Sequence, residues 1–142
     1  MHKLIKALRI VHLPGGLDAL LRYHVAASTE HLHALRDLRC RTVVDIGANR
    51  GQFSLLAHAL FPEAQIFAFE PLEKPASTYR RVFAHISGVR LSMVAIGSQA
   101  SEALLHVAAR DDSSSLLPIG TAQLHLFPGT YEVATAHVAV RR

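Results

Sequence analysis

The chain has 142 residues, half of them hydrophobic and 18% charged, a balance that suits one globular domain with a single core and excludes a disordered segment. The formal charge is +4 with His neutral, the basic residues are dispersed and there is no Trp, so the composition excludes a basic stripe with stacking aromatics and no nucleic-acid partner is expected. Cys40 is the only cysteine, which excludes an intrachain disulfide, and no apolar run approaches a membrane span, so a cytoplasmic protein without a transmembrane segment is the expectation.

In chain order, Leu4, Ile5, Leu8 and Val11 recur at helical spacing with Lys3, Lys6 and Arg9 on other faces, and Pro14-Gly15-Gly16 ends this basic amphipathic helix. Packing on its own domain is the commoner fate of such a helix; an anionic membrane surface is the other. Leu17–Val25 reads as a second helix. Ser28 or Thr29 caps a third, with Leu32, Leu35 and Leu38 toward the core. Residues 1–41 are therefore read as a helical segment preceding a globular unit over 42–142. None of the ten histidines has zinc-ligand spacing with Cys40 or a carboxylate, so no metal is expected.

The stretch Thr42–Ser54, TVVDIGANRGQFS, organises the remainder. Val43, Val44 and Ile46 form an apolar, β-branched run, the pattern of a strand buried on both faces. A small-residue bend over Gly47–Gly51 follows, and Phe53, Leu55, Leu56, Ala59 and Leu60 then recur at helical spacing. A strand, a tight bend and a helix place backbone N–H groups and a helix N-terminus at the carboxyl end of a strand, where open parallel sheets bind nucleotide-like ligands. One glycine of the bend is expected to admit a ligand to the backbone, the other to let the following helix lie close to the sheet. The spacing is not the G-x-G-x-x-G of a dinucleotide site. Asn49 stands where positive φ is wanted, which Asn tolerates better than most residues.

The helix ends at Pro62, and Gln65–Phe69 is a second apolar strand with Glu70 at its carboxyl end, 19 residues after Gly51. An acid there accepts hydrogen bonds from the two hydroxyls of a ribose, in dinucleotide and S-adenosylmethionine sites alike, and so identifies a nucleoside without saying which. Pro75 suits a first helical turn; Ala76, Tyr79, Phe83 and Ile86 line one face of that helix, and Gly88 is a C′ residue. Arg90–Ile96 reads as a third strand. Helices alternating with strands argue an α/β fold with parallel strands. Ala103–Ala109 and Tyr131–Val140 read as a final antiparallel pair joined by a long polar loop without a helix.

Taken together, these residues resemble the FkbM family of S-adenosylmethionine-dependent methyltransferases, of Rossmann-like fold. The resemblance rests on Val44-Asp45-Ile46-Gly47-Ala48-Asn49 with Gly51, Gln52, Phe53 and Ser54, on Phe69-Glu70-Pro71, on Ala95-Ile96-Gly97 and on Ser113–Leu117. It implies that Asp45, Gly47, Ala48, Asn49 and Gly51 hold the methionine end of S-adenosylmethionine, that Glu70 holds the ribose, and that Ala95 lies near the adenine, where backbone contacts replace the acid many methyltransferases carry. It implies O-methylation of a small-molecule or sugar acceptor, and it designates no general base. The family continues beyond the segments matched here into a strand beside the first, so the chain is expected to be a truncated, partial version with an apolar ladder edge on Val43–Ile46 and self-association through it. Two other functions remain open: a cofactor-binding remnant without turnover, and a nicotinamide-dependent oxidoreductase, which the bend spacing disfavours.

Overall fold

The computed structural model describes residues 13–142, and the expected helix over Leu4, Ile5, Leu8 and Val11 lies outside the described residues. The protein is α/β, with a three-stranded parallel sheet and a three-stranded mixed sheet. Helix α1 (Gly16–Tyr23), a 3-10 turn (Thr29–His31) and a single turn of helix, α2 (Leu32–Leu35), lead into β1 (Thr42–Ile46). Then come α3 (Gln52–Leu60), β2 (Gln65–Phe69), α4 (Glu73–Val82) and β3 (Val89–Ser92). The C-terminal part holds β4 (Ala95–Ile96), β5 (Ser101–Ala108), a 3-10 turn (Asp111–Ser113), α5 (Thr121–Leu126) and β6 (Glu132–Arg141). No helix among the described residues is long and apolar enough to cross a membrane.

The first sheet has the order β1-β2-β3, with Asp45 opposite Ala68 and Ile66 opposite Val89. Two crossovers of the same hand that advance in one direction put both helices on one face. Burial follows that rule. Asp45, Ile66 and Ala68 are buried beneath α3 and α4, whereas Val44 and Ile46 are 56% and 61% exposed. The run Val43–Ile46 is therefore covered on one face only, contrary to the two-sided burial its composition implies. Both helices were spent on the same side, and β1 pairs with β2 alone among the described residues.

The core joins the N-terminal segment to the sheet. Ala19, Val25 and Ala27 pack in one cluster with Ala48, Leu55, Ala68, Tyr79 and Phe83, and the Ser28 amide donates to the Gln52 carbonyl at 2.9 Å. The Arg81 guanidinium lies 5.1 Å from the centre of the Tyr23 ring, bracing α1 against α4. The third helix is far shorter than its apolar spacing implies. Neither Ser28 nor His31 makes a capping side-chain bond, and Leu38 is 47% exposed.

Two further elements differ from the sequence pattern. The run Arg90–Ile96 is not one strand. It turns at Met93–Val94, where the Val94 amide donates to the Ser92 carbonyl, and its second half crosses to the other sheet, where Ala95 pairs with Val140. The last two strands are antiparallel as their pattern implies, with Ser101 opposite Val140 and a register shift at Val107/Ala108, but α5 sits in the loop between them. Ala95, Leu105, Val138 and Val140 form a second, smaller core in this sheet.

Gly51, the residue before α3, has φ +98°, and a Cβ there would stand 2.5 Å from Phe83 Cε2 and 3.1 Å from Tyr79 Cδ2. Its role is close approach to the aromatic rings of α4 rather than to the sheet. Gly51→Ala is expected to lower stability by about 1–3 kcal/mol, from the backbone strain and the displaced rings together. Urea unfolding reads this directly, and an unchanged midpoint would refute it.

Candidate functional site

The carboxyl ends of β1 and β2 form the floor of a cavity of about 680 Å³, a size within the range of small-molecule and cofactor sites. Its floor is the bend Gly47–Asn49 with Phe69 and Glu70. One wall is the segment His24–Glu30, and the other is Ala95, Ile96 and Leu105 of the second sheet with residues 112–116. The cavity therefore lies between the two sheets.

Bottom-up, the bend is held by its own amides. Gly47 and Ala48 both donate to the Phe69 carbonyl, at 2.9 and 3.0 Å, and the Gly51 amide donates to the Ala48 carbonyl at 2.8 Å. The Asn49 amide donates to Glu70 Oε2 at 2.9 Å, and the Leu72 amide donates to Glu70 Oε1 at 2.9 Å. Glu70 thus clamps the bend onto the end of β2 with charge-assisted hydrogen bonds and is itself buried. This corrects one expectation. These N–H groups are turned into the protein and do not form a cradle for an anion. What remains at the surface of the bend is room and acceptors. Gly47 has φ +76° with nothing within 4 Å of where a Cβ would be, so its backbone faces open space. Asn49 has φ 49°, is 8% exposed, and its Oδ1 is buried without a hydrogen-bond partner. A buried carbonyl oxygen with no donor is costly.

Asp45 lines the cavity, yet its carboxylate also faces inward. Ser54 donates its hydroxyl to Asp45 Oδ2 at 2.6 Å and its amide to the same carboxylate, so Asp45 caps the first turn of α3 from a different element. Tyr79 donates in turn to the Ser54 hydroxyl at 2.9 Å. Burial pushes the Asp45 carboxyl above its ordinary value, against the lowering effect of the two Ser54 bonds. Burial likewise pushes the Tyr79 phenol well up, so it remains a neutral donor.

Of the residues singled out by sequence, Asp45, Gly47, Ala48, Asn49, Glu70 and Ala95 all border the cavity. Gly51 does not, since it serves packing beneath the bend. Sequence reasoning missed the wall from His24 to Glu30. His24 has φ 56°, one of two non-glycine residues with positive φ among those described, and both lie at this cavity. Nothing in the local pattern of residues 24–30 marks them, because their contact with the bend is long-range. Ser114 and Ser115 also face the cavity. The Ser114 hydroxyl accepts from the Ala108 amide, and the Ser115 backbone pairs with His106 across β5. No group of three or more His, Cys, Asp or Glu among the described residues is arranged to hold a metal.

Compared with known proteins, the chain matches no family model and no curated protein.

The burial of Asp45 has a pH consequence. A carboxyl whose folded pKa lies above its unfolded value contributes stability that is full below 3.8 and is lost as pH rises through the raised value. The protein is expected to lose stability over that window, and Asp45→Asn, which keeps an oxygen for the Ser54 hydroxyl, is expected to lack the loss. Urea midpoints measured across the acidic range compare the two. Parallel profiles would show that Asp45 is not the group responsible.

Proposed function

We propose that the protein is an S-adenosylmethionine-dependent methyltransferase of FkbM type, built on a partial Rossmann-like fold and acting on a hydroxyl of a small molecule or sugar. The observation that carries this reading is the Glu70 clamp: a carboxylate at the end of β2, bonded to the Asn49 amide, at the base of a cavity bordered by the bend. An acid at that place serves a nucleoside ribose. Its two oxygens accept the backbone N–H groups of Asn49 and Leu72.

The residues present fit a cationic nucleoside better than a dinucleotide. The amides of Gly47, Ala48, Asn49 and Gly51 are engaged within the protein, and among the described residues no Lys or Arg borders the cavity. A pyrophosphate is held by one kind of donor or the other. The open space above Gly47 suits the amino-acid end of such a ligand. S-adenosylmethionine supplies, when bound, an electrophilic methyl group whose departure leaves a neutral thioether. The chain's part is alignment of an acceptor oxygen and removal of its proton. His24, Glu30 and Asp112 are the titratable groups on the walls away from the bend. Burial raises the Asp112 carboxyl, but the hydrogen bonds from Arg110 and Ser113 outweigh it and hold the group below its ordinary value, so it stays ionised.

A second reading, cofactor binding without turnover, is favoured by one fact. Asp45, Glu70 and Asp112 each already accept hydrogen bonds from this chain, which leaves none of the three as an uncommitted base.

Calorimetric titration with S-adenosylhomocysteine, S-adenosylmethionine and NAD tests the cofactor, and transfer of a labelled methyl group to a panel of hydroxyl acceptors separates the two readings. Gly47→Val, which fills open space in front of the backbone, and Glu70→Gln are both expected to weaken binding of either S-adenosyl ligand, the latter by on the order of 1.5–3 kcal/mol. Heat on NAD injection alone, or unchanged affinity in both variants, overturns the assignment.

A further inference from the structure

His24 occupies a backbone conformation that ordinarily goes to glycine. It is the residue after α1, with φ 56° and ψ 37°. Its amide donates to the Leu20 carbonyl at 3.1 Å, and the Val25 amide donates to the Ala19 carbonyl at 3.1 Å. These bonds close the helix as a left-handed residue followed by a buried apolar one does, and Val25 is 1% exposed. Glycine fills such a place without strain, whereas a residue with a Cβ does not. The strain therefore comes with a side chain, and the residue that carries it lines the cavity.

The segment that follows is fixed to the bend. Val25 and Ala27 share one apolar cluster with Ala48, and the Ser28 amide bonds to the Gln52 carbonyl. His24 thus belongs to the wall joined to the bend, and Asp112 to the wall shared with the second sheet. The titratable groups of the cavity differ in what already holds them. Asp45, Glu70 and Asp112 accept hydrogen bonds from this chain, and Glu30 has an interaction of its own. Among the described residues no hydrogen bond, ion pair or ring contact engages the side chain of His24, an exposed residue.

We infer that His24 is the proton acceptor for the hydroxyl that receives the methyl group. The inference rests on the S-adenosylmethionine reading and adds to it the base that no carboxylate of the cavity is free to supply. Imidazole is the side chain suited to taking up and releasing a proton near neutral pH. As the acceptor oxygen forms its bond to the methyl carbon, its proton passes to a ring nitrogen of the imidazole. The carbon–sulfur bond breaks, and its electron pair stays on sulfur. Solvent, which reaches the exposed residue, then takes the proton from the imidazolium.

The experiment compares the full chain with His24→Gly and His24→Asn, two residues that accept positive φ and carry no base. The readouts are the urea midpoint, the calorimetric affinity for S-adenosylhomocysteine, and transfer of a labelled methyl group from S-adenosylmethionine to a panel of sugars and alcohols. The expected result in both variants is an unchanged or raised midpoint and an affinity within about twofold. Transfer is expected to slow by on the order of a hundredfold, and added imidazole to restore part of it in His24→Gly. Equal transfer in the three proteins overturns the proposal and leaves the cofactor reading intact, as does a loss that imidazole fails to restore. A lower midpoint with weaker S-adenosylhomocysteine binding in both variants assigns the side chain to structure and also overturns the proposal. If the unaltered chain binds S-adenosylhomocysteine but methylates no acceptor of the panel, the proposal falls alone. If it binds neither S-adenosyl ligand, the two fall together.

Discussion

The Glu70 carboxylate is the constraint on which the rest of the site depends. It is buried at the end of β2, where an ion without partners would be costly, and it is satisfied by amides from two different segments. Accepting the Asn49 amide fixes the bend, and accepting the Leu72 amide fixes the path of the chain out of β2. The first bond sets where the Asn49 side chain goes. The second helps place Leu72, which packs against the smaller core of the other sheet. One carboxylate thus positions the bend and helps join the two sheets.

A second hydrogen-bonded chain works beneath the first. Tyr79 of α4 donates to Ser54 of α3, and Ser54 donates to Asp45 of β1. Three elements that approach one another through apolar contacts are thereby fixed in register by polar ones. Asp45 is a carboxylate with two jobs, since it borders the cavity and caps the helix behind it. The residues that reading by motif assigns wholly to a ligand are therefore partly committed to holding the bend in shape. This is how a bend of small side chains stays rigid: larger groups behind it carry the bonds.

Much of this was legible in the sequence, and for physical reasons. Gln65–Phe69 is a strand because it is short, apolar and bounded by turn residues, and its ends fall where those signals place them. Ala76, Tyr79 and Phe83 share a buried helix face because their spacing gives them one. The bend, the acid after β2 and the antiparallel pair were legible for the same reason, since each is a local pattern. What was not legible was decided at long range. The turn at Met93–Val94 divides a run that reads as one strand because its second half has a partner in β6, more than forty residues away. Val44 and Ile46 look doubly buried, yet only the placement of both helices on one face reveals that they are not. The His24–Glu30 wall carries no motif at all, and its place beside the bend comes from Val25 and Ala27 reaching the common core.

The cavity's position between two sheets with separate cores has a thermodynamic consequence. An occupant that touches the bend and also residues 112–116 adds a bridge between bodies whose own apolar clusters do not merge. Linkage then converts the free energy of occupancy into cohesion between the halves, about 2.7 kcal/mol when the ligand is at a hundred times its dissociation constant. A ligand held there would be a structural member, tying two separate apolar clusters into one cooperative unit.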